Sequence, residues 1–401
     1  MKIENAIGNV QLIRKINRLK VLDFIRRMGP VARPEIAKST GLSPSSITNI
    51  VNYLLDKNLV AEMGLVDSNE VGRKATLIKF NPSAFNIISI DIESEKINLA
   101  LTDLEGNIIE FKQIPIVQET KDFEILDIIK KEISLVISVQ KNVAGIGIAV
   151  SGLIQDEEKL ILSTSHKWRG LSLKEIFQES FGVPVFVQNN SRTKALWKLN
   201  EFKGGTERNI IFLDLSFGVG IINFYDHKIN DTVIGEFGHT TVKKDGPLCF
   251  CGNHGCLELM CTVDAVINQC SKMLSKGKCL KLKKLLGNNI STLSYMLVLE
   301  AFKQGDEDVC MIMKECGEYL GIGLANIINI FRPQRIIIND DTLLDCDYIY
   351  KTAVEESNIR AHEYFVKGLN YERVYIDSEQ ATQGVSLYVA DKLFDLAGPE
   401  I

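Results

Sequence analysis

Apolar and polar positions along the first 80 residues recur at the spacings of three helices followed by a strand pair. Val21, Leu22, Ile25 and Met28 repeat at helical spacing, and Gly29-Pro30 ends the run. A second helix is predicted from about Arg33 to Ser39, with Pro34 in its first turn, where a missing N–H costs nothing. Thr40-Gly41-Leu42 makes a short glycine turn. Ser43 then stands as an N-cap before Pro44, and Ile47, Ile50, Val51, Leu54 and Leu55 form an apolar stripe. The opposite face carries Ser45, Ser46, Thr48, Asn49 and Asn52, short uncharged side chains suited to base edges and phosphates. Leu59 to Met63 and Ala75 to Phe80 read as strands, and the polar segment between them ends in Gly72-Arg73-Lys74. Helix, glycine turn, capped helix and strand pair predict a winged helix-turn-helix whose second helix enters the major groove. The predicted DNA contacts are Arg33, Ser43, Ser45, Ser46, Thr48 and Asn49 on the helical part, and Arg73 and Lys74 on the wing.

Beyond Asn81-Pro82 the pattern changes to buried-type strands. Ile87 to Ile92, Ile97 to Thr102 and a resumption at Ile108-Ile109 are followed by a helical stretch (about 120–140) and the strand Gly145 to Val150. The rhythm returns at Ile210 to Leu215, Gly220 to Phe224, a run of helices and the strand Arg335 to Ile338. Hairpin strands and then strands alternating with helices, twice over, predict two α/β lobes with a cleft between them. The predicted domains are 1–80, 81–195 completed by a C-terminal helix near 380–401, and 196–379.

Charge sharpens the picture of the first segment. The chain carries a net −5, yet residues 1–80 hold 7 Lys and 6 Arg against 7 Asp plus Glu. A basic beginning on an acidic protein predicts a polyanionic partner at that end. The composition, 45% hydrophobic and 24% charged, is that of a soluble globular protein. No run approaches the roughly 20 apolar residues of a membrane span, and Lys2, Glu4, Arg14 and Lys15 interrupt any leader pattern, so a cytoplasmic location is expected. In such a compartment the 9 cysteines are not a disulfide framework. Cys270, Cys279, Cys310, Cys316 and Cys346 are scattered, whereas Cys249, Cys251 and Cys256 are bunched as Cys-X-Cys-X4-Cys, a zinc-like thiolate set on spacing alone. A closed four-coordinate shell needs one more ligand, for which His254 inside the loop and His239 upstream are the candidates.

From Gly145 to Glu258 the sequence resembles the ROK family of repressors, open reading frames and sugar kinases. The resemblance is carried by Gly145-Ile146-Gly147-Ile148-Ala149-Val150-Ser151-Gly152, Pro184 to Asn190, Gly235-Glu236-Phe237-Gly238-His239, and Cys249 to Glu258. With the helix-turn-helix in front, it is closest to repressors of the xylose-repressor type. The resemblance implies an actin-like (sugar kinase/Hsp70-like) pair of lobes, usually dimeric or tetrameric. It also implies His239 as the fourth zinc ligand with Cys249, Cys251 and Cys256, and a structural rather than catalytic metal. Sugar-binding positions carried over from it are Gly152, Asn189, Asn190, Glu236, His239 and Glu258.

The phosphoryl-transfer positions depart from the family pattern. Asn190 stands where the kinases have the general-base Asp, and an amide cannot take the proton. The first phosphate loop is Asp91-Ile92-Glu93-Ser94-Glu95, with acidic side chains where phosphate oxygens would lie. The second survives only as Phe217-Gly218-Val219-Gly220, and Asn339-Asp340 replaces a glycine pair. The expectation is a kinase-inactive, sugar-responsive repressor acting on operator DNA, with a monosaccharide effector, xylose or related. The rivals are a ROK kinase with an added DNA-binding domain, and a repressor governed by a protein partner.

Overall fold

The computed structural model describes residues 10–66, 75–117, 122–155, 159–163, 168–202, 205–215, 218–226, 228–230, 235–287, 289–340, 343 and 346–395. Arg73 and Lys74 of the predicted wing, and Phe217 of the glycine-rich loop, lie outside the described residues. The chain divides into two compact units: unit 1 is Met1–Trp197 with Ser378–Ile401, and unit 2 is Lys198–Asp377.

Unit 1 opens with α1 (Val10–Met28), β1 (Val31–Ala32), α2 (Arg33–Thr40), α3 (Pro44–Asp56), β2 (Val60–Val66) and β3 (Ala75–Phe80). α1 starts well before the apolar run at Val21, because Ile13 and Ile16 in its first half are exposed and leave no stripe to read. α2 ends on Gly41, whose left-handed φ of +71° lets its N–H return to the Ala37 carbonyl. α3 begins where Ser43 Oγ accepts the Ser46 N–H at 3.2 Å. Ile47, Val51 and Leu54 on its inner face are all but inaccessible. Burying each contributes roughly 1.5–3 kcal/mol, so packing rather than propensity holds a helix that starts with Pro and two Ser. β1, β3 and β2 form an antiparallel sheet in that order, with a bulge between Met63 and Leu65.

The rest of unit 1 is β4 (Asn86–Ile92), β5 (Lys96–Asp103), β6 (Ile108–Pro115), α4 (Asp122–Val139), β7 (Val143–Val150), β8 (Leu153–Gln155), β9 (Lys159–Ser163), β10 (Trp168–Leu171), α5 (Leu173–Phe181), β11 (Val185–Asn189) and α6 (Asn190–Leu199). The main sheet runs β11-β7-β4-β5-β6, with β4, β7 and β11 parallel, and Ile92, Val150 and Asn189 share one register row at the carboxyl ends of the parallel strands. Ligand-facing groups in such sheets collect at those ends. A small antiparallel sheet, β10-β9-β8, follows the Gly152 turn. Gly152 has φ +151°, and a Cβ there would stand 2.3 Å from the Leu162 carbonyl oxygen, so only glycine fits.

Unit 2 contains β12 (Asn209–Asp214), β13 (Gly220–Tyr225), β14 (Lys228–Ile229), α7 (Val263–Ser275), α8 (Leu280–Leu286), α9 (Tyr295–Lys303), α10 (Glu307–Phe331), β15 (Arg335–Asn339), α11 (Asp347–Arg360), α12 (Glu363–Val366) and β16 (Asn370–Val374). Its sheet, β14-β13-β12-β15-β16, repeats the plan of the first, with β12, β15 and β16 parallel. Its core gathers Ile211, Leu213, Ile336 and Ile338 with the inner faces of α7, α9 and α10. The chain then returns to unit 1 as α13 (Ser378–Leu393). α13 lies directly against β7, where a Cβ on Gly147 would come within 2.5 Å of both Val385 and Val389 side chains. Among the described residues no helix is long and apolar enough to cross a membrane.

Candidate functional site

Four sulfur and nitrogen donors converge in unit 2. His239, Cys249, Cys251 and Cys256 offer ligand atoms that all lie within 4.8 Å of one another. Cys249 Sγ is 3.5 Å from His239 Nδ1, and Cys251 Sγ is 3.7 Å from Cys256 Sγ. Tetrahedral bonds of about 2.3 Å to sulfur and about 2.0 Å to nitrogen give edges of roughly 3.8 Å and 3.5 Å, so both separations fit a single zinc ion. His254 is turned elsewhere, with its Nδ1 3.2 Å from the Gly246 carbonyl oxygen. Between the two histidines that spacing leaves open, the geometry selects His239.

The loop that carries the thiols is shaped by its own backbone. Cys249 N–H donates to the Asn253 carbonyl and Gly252 N–H returns to Cys249. Gly255 has φ +67°, and a Cβ on it would stand 1.7 Å from the Lys243 carbonyl oxygen. Asn253, which the sequence reading passed over, donates Nδ2–H to Thr241 Oγ1 at 2.8 Å and lies 3.5 Å from Cys256 Sγ. Its signal was its place between ligand cysteines, where outer-shell amides orient the sulfurs. Burial pushes the Cys256 thiol up to about 12, while the Asn253 backbone N–H holds that of Cys251 below the usual range. Cys261, five positions beyond Cys256, is fully buried in the unit 2 core and stands outside the ligand cluster.

Beside this cluster stands Glu258. Its carboxylate fits a notch left by two glycines: a Cβ on Gly218 would lie 2.5 Å from Glu258 Oε2, and one on Gly238 3.2 Å. Burial raises its pKa, opposed by nearby His239 and by a backbone hydrogen bond from Val219, while neighbouring Glu236 pushes the same way as burial. Glu236 is exposed and His239 half-buried. A carboxylate pair and an imidazole of fixed orientation make a cluster able to accept and donate to hydroxyls.

The other three sugar-predicted residues lie in unit 1. Asn189 is committed internally: Nδ2 donates to the Gly152 carbonyl at 2.8 Å, and Oδ1 accepts the Ser191 N–H at 2.9 Å. Asn190, 3% exposed, uses Oδ1 on the same N–H at 3.0 Å, while its Nδ2 has no partner among the described residues. The six residues thus form two groups, one in each unit.

At the positions of the expected phosphate loops, side chains bind one another. Glu93 accepts from Asn98 Nδ2 at 2.7 Å and faces Lys96 at 3.6 Å, and the Glu93 N–H closes the β4–β5 turn on the Lys96 carbonyl. In unit 2, Asn339 Nδ2 donates to Asp214 Oδ1 at 2.8 Å and its Oδ1 accepts the Ile376 N–H at 3.0 Å.

On the N-terminal helices, Ser45, Thr48, Asn49 and Asn52 are exposed together, opposite the buried Ile47, Val51 and Leu54. Ser43 serves as the α3 cap, and its Oγ also lies 3.0 Å from Ser45 Oγ and 2.9 Å from Ser46 Oγ. Thr48 returns its hydroxyl to the Pro44 carbonyl. Arg33 is tied to Glu62 on β2 at 2.8 Å. A second cluster, Cys279, Asp306 and Asp308, is a brace for helix starts. Asp306 accepts the N–H groups of Lys281, Leu282 and Val309, and Asp308 that of Cys279.

Two similar sheets, each with parallel strands ending at polar side chains, define a mixed α/β protein of the actin-like sugar-kinase class. The chain belongs to the ROK family, whose family model matches residues 87–389. It is 30% identical over 399 residues to the xylose repressor of Bacillus subtilis (strain 168), covering 97% of this chain and 99% of that protein. Its fold matches the crystal structure of a ROK family transcriptional regulator, a homolog of the E. coli MLC protein. The TM-score there is 0.78 at 23% identity, over 94% of this chain and 97% of that one. A ROK family glucokinase from Streptomyces griseus, in complex with glucose and AMPPNP, matches with TM-score 0.61 at 21% identity, over 75% of this chain and 98% of that one.

Proposed function

We propose that the chain is a sugar-responsive, DNA-binding transcriptional repressor of a carbohydrate-utilisation operon, cytoplasmic and without kinase activity. The observation that carries this reading is the exposed row of Ser45, Thr48, Asn49 and Asn52 on a capped helix, in the same chain as a ROK domain. α1 to α3 with β2 and β3 act as a winged helix-turn-helix, α3 entering the major groove. Ser45, Ser46 and Asn49 face base edges; Ser43 and Thr48 order the first turn beside a phosphate. Arg33 acts mainly through Glu62 on β2, and Arg73 and Lys74 are the proposed wing contacts to the duplex. A homodimer or homotetramer would present two such helices to a near-palindromic operator.

His239, Cys249, Cys251 and Cys256 would hold a structural zinc ion, which would brace a loop otherwise made of turns. With Nδ1 committed to the cluster, His239 keeps Nε2 for a hydroxyl, and Glu236 and Glu258 stand ready as acceptors. Gly152, Asn189 and Asn190 shape and supply the sugar contacts of unit 1. The likeness to a xylose repressor leans the effector towards xylose or a related monosaccharide. A sugar that binds two states of the protein unequally shifts operator affinity by the same factor. In a gel-shift titration with a monosaccharide panel, at least one sugar should change operator affinity by about fivefold or more. If none does, the effector claim falls.

Loss of the kinase follows from three separate parts of the reaction. Asn190 cannot act as general base, a loss of about 10²–10⁴-fold by itself. Glu93 fills the first phosphate turn with charge, and Asn339 is locked to Asp214 where a glycine pair would admit nucleotide. Purified protein with ATP, magnesium and the same sugars should therefore form no sugar phosphate, and Asn190→Asp alone should not restore it. Turnover at an enzyme-like rate in either protein would overturn this reading.

A further inference from the structure

The N-terminal helices do not own their core. Val21, Leu22 and Ile25 of α1, Leu54 of α3 and Phe80 of β3 share one buried cluster with Phe186 and with Tyr388, Val389, Ala390 and Leu393 of α13. Phe80 meets Phe394 edge-on at 6.1 Å, and the Arg26 guanidinium lies 5.5 Å from the same ring and 3.7 Å from Asp391. The last helix of the chain is thus part of the support of the first.

The other end of α13 touches α6. A Cβ on Gly384 would stand 2.0 Å from the Thr193 carbonyl oxygen, so the two helix backbones are in direct contact. Trp197 Nε1 donates to Gln383 Oε1 at 3.2 Å one turn further on. α6 itself starts at Asn190, whose buried Nδ2 is a donor without a partner among the described residues. Between these two contacts α13 is wedged against β7, with no room at Gly147 and with Ser386 Oγ 2.6 Å from Thr102 Oγ1. Close-packed elements without voids pass a displacement on rather than absorb it.

We propose that α13 is the relay between the head of α6 and the N-terminal helices, with Arg26, Asp391 and Phe394 as positioning residues at its far end. A ligand that takes the Asn190 donor acts on the first turn of α6. Thr193, at the end of that turn, bears on Gly384, and Trp197 one turn on bears on Gln383. About 15 Å along the helix, at 1.5 Å per residue, Phe394 bears on Phe80 and Arg26. The proposal rests on the sugar-sensing reading above and assigns its route. The Arg26–Asp391 pair is part-exposed and screened, so the ring of Phe394 is the main contact.

The test uses the full chain and the double variant Arg26→Gln with Phe394→Leu, which keeps apolar cover and lies outside the proposed DNA and sugar contacts. Xylose and glucose are the probes. Sugar affinity by calorimetry and sugar-free operator affinity should each stay within about threefold of the parent, while the sugar-induced change in operator affinity falls from about fivefold or more to under about twofold. Linkage supplies a second readout, since operator must alter sugar affinity by the same factor in each protein. Phe394→Leu alone, the milder change, should give an intermediate ratio. An undiminished ratio in both variants overturns the relay and leaves the sensor standing. A parent protein whose operator affinity ignores both sugars overturns the route for these probes, and the panel titration then decides the sensor itself.

Discussion

Replacing Cys256 by serine should abolish zinc binding at the proposed metal cluster and loosen the loop around it, while the rest of unit 2 should stay folded. Cys256 is fully buried, and its sulfur stands one tetrahedral edge from that of Cys251. Beyond its backbone turns the loop has little apolar packing to hold it: Leu248 and Phe250, its large apolar side chains, are 65% and 60% exposed. The unit 2 core lies elsewhere, between its sheet and α7, α9 and α10. Zinc measured by elemental analysis should fall from about one ion per chain to below about a tenth, because three ligands do not hold a structural ion as four do. Glu258 lies two residues from Cys256 and His239 is one of the four proposed ligands, so sugar affinity should drop by about 10–100-fold. The far-ultraviolet dichroism should stay near the parent's. Chelation of the parent protein should reproduce the change. A Cys256→Ser protein that retains a full complement of zinc would show that the cluster is not the metal site.

The second large effect belongs to α3. Asn49→Ala should weaken operator binding by about 10–100-fold, the worth of 1–3 kcal/mol for a good base contact, and leave binding to scrambled DNA nearly unchanged. Asn49 is exposed on the face opposite Ile47 and Val51, so the substitution removes an amide without touching the core. Arg33→Ala is the informative contrast. Its guanidinium is occupied by Glu62, so its loss should leave the salt dependence of binding almost as it was, whereas removal of a phosphate contact lowers the slope by about one. Equal weakening of operator and scrambled duplex by Asn49→Ala would remove α3 from base recognition.

The elements that the sequence made legible are those with a buried face. α3 announces itself through Ser43, Pro44 and an unbroken stripe, and β4, β7 and β15 through runs of Ile and Val. Elements without such a face escaped. β1 is two residues long, β16 is a polar edge strand reading Asn-Tyr-Glu-Arg-Val, and the first half of α1 turns its isoleucines outwards. The small sheet β8 to β10 is too short for periodicity to register.

At the candidate site, Cys-X-Cys-X4-Cys pointed to three candidate ligands by spacing, but the choice of histidine needed either the family pattern or the position of His254 against Gly246. The roles of neighbouring asparagines were also hidden. Asn189 and Asn190 look alike in sequence, yet one is bound to Gly152 and the other has an amide nitrogen without a partner among the described residues. Such differences arise from tertiary geometry, which no local pattern encodes. The departures at Glu93 and Asn339 were visible as residue types; that each binds a neighbour inside its own unit was not.

The shared cluster beneath α1 and β3 has a practical consequence for anyone dividing this chain. Asn81-Pro82 looks like a natural place to cut, but a fragment ending there would lose Phe394, which lies against Phe80 and Arg26, and the α13 side chains that share its buried cluster. The amino-terminal body is therefore not a portable cassette. Trimming the carboxyl end back through Phe394, some three hundred positions from Phe80 in sequence, would remove a partner of Phe80 and Arg26 near the opposite end of the polypeptide.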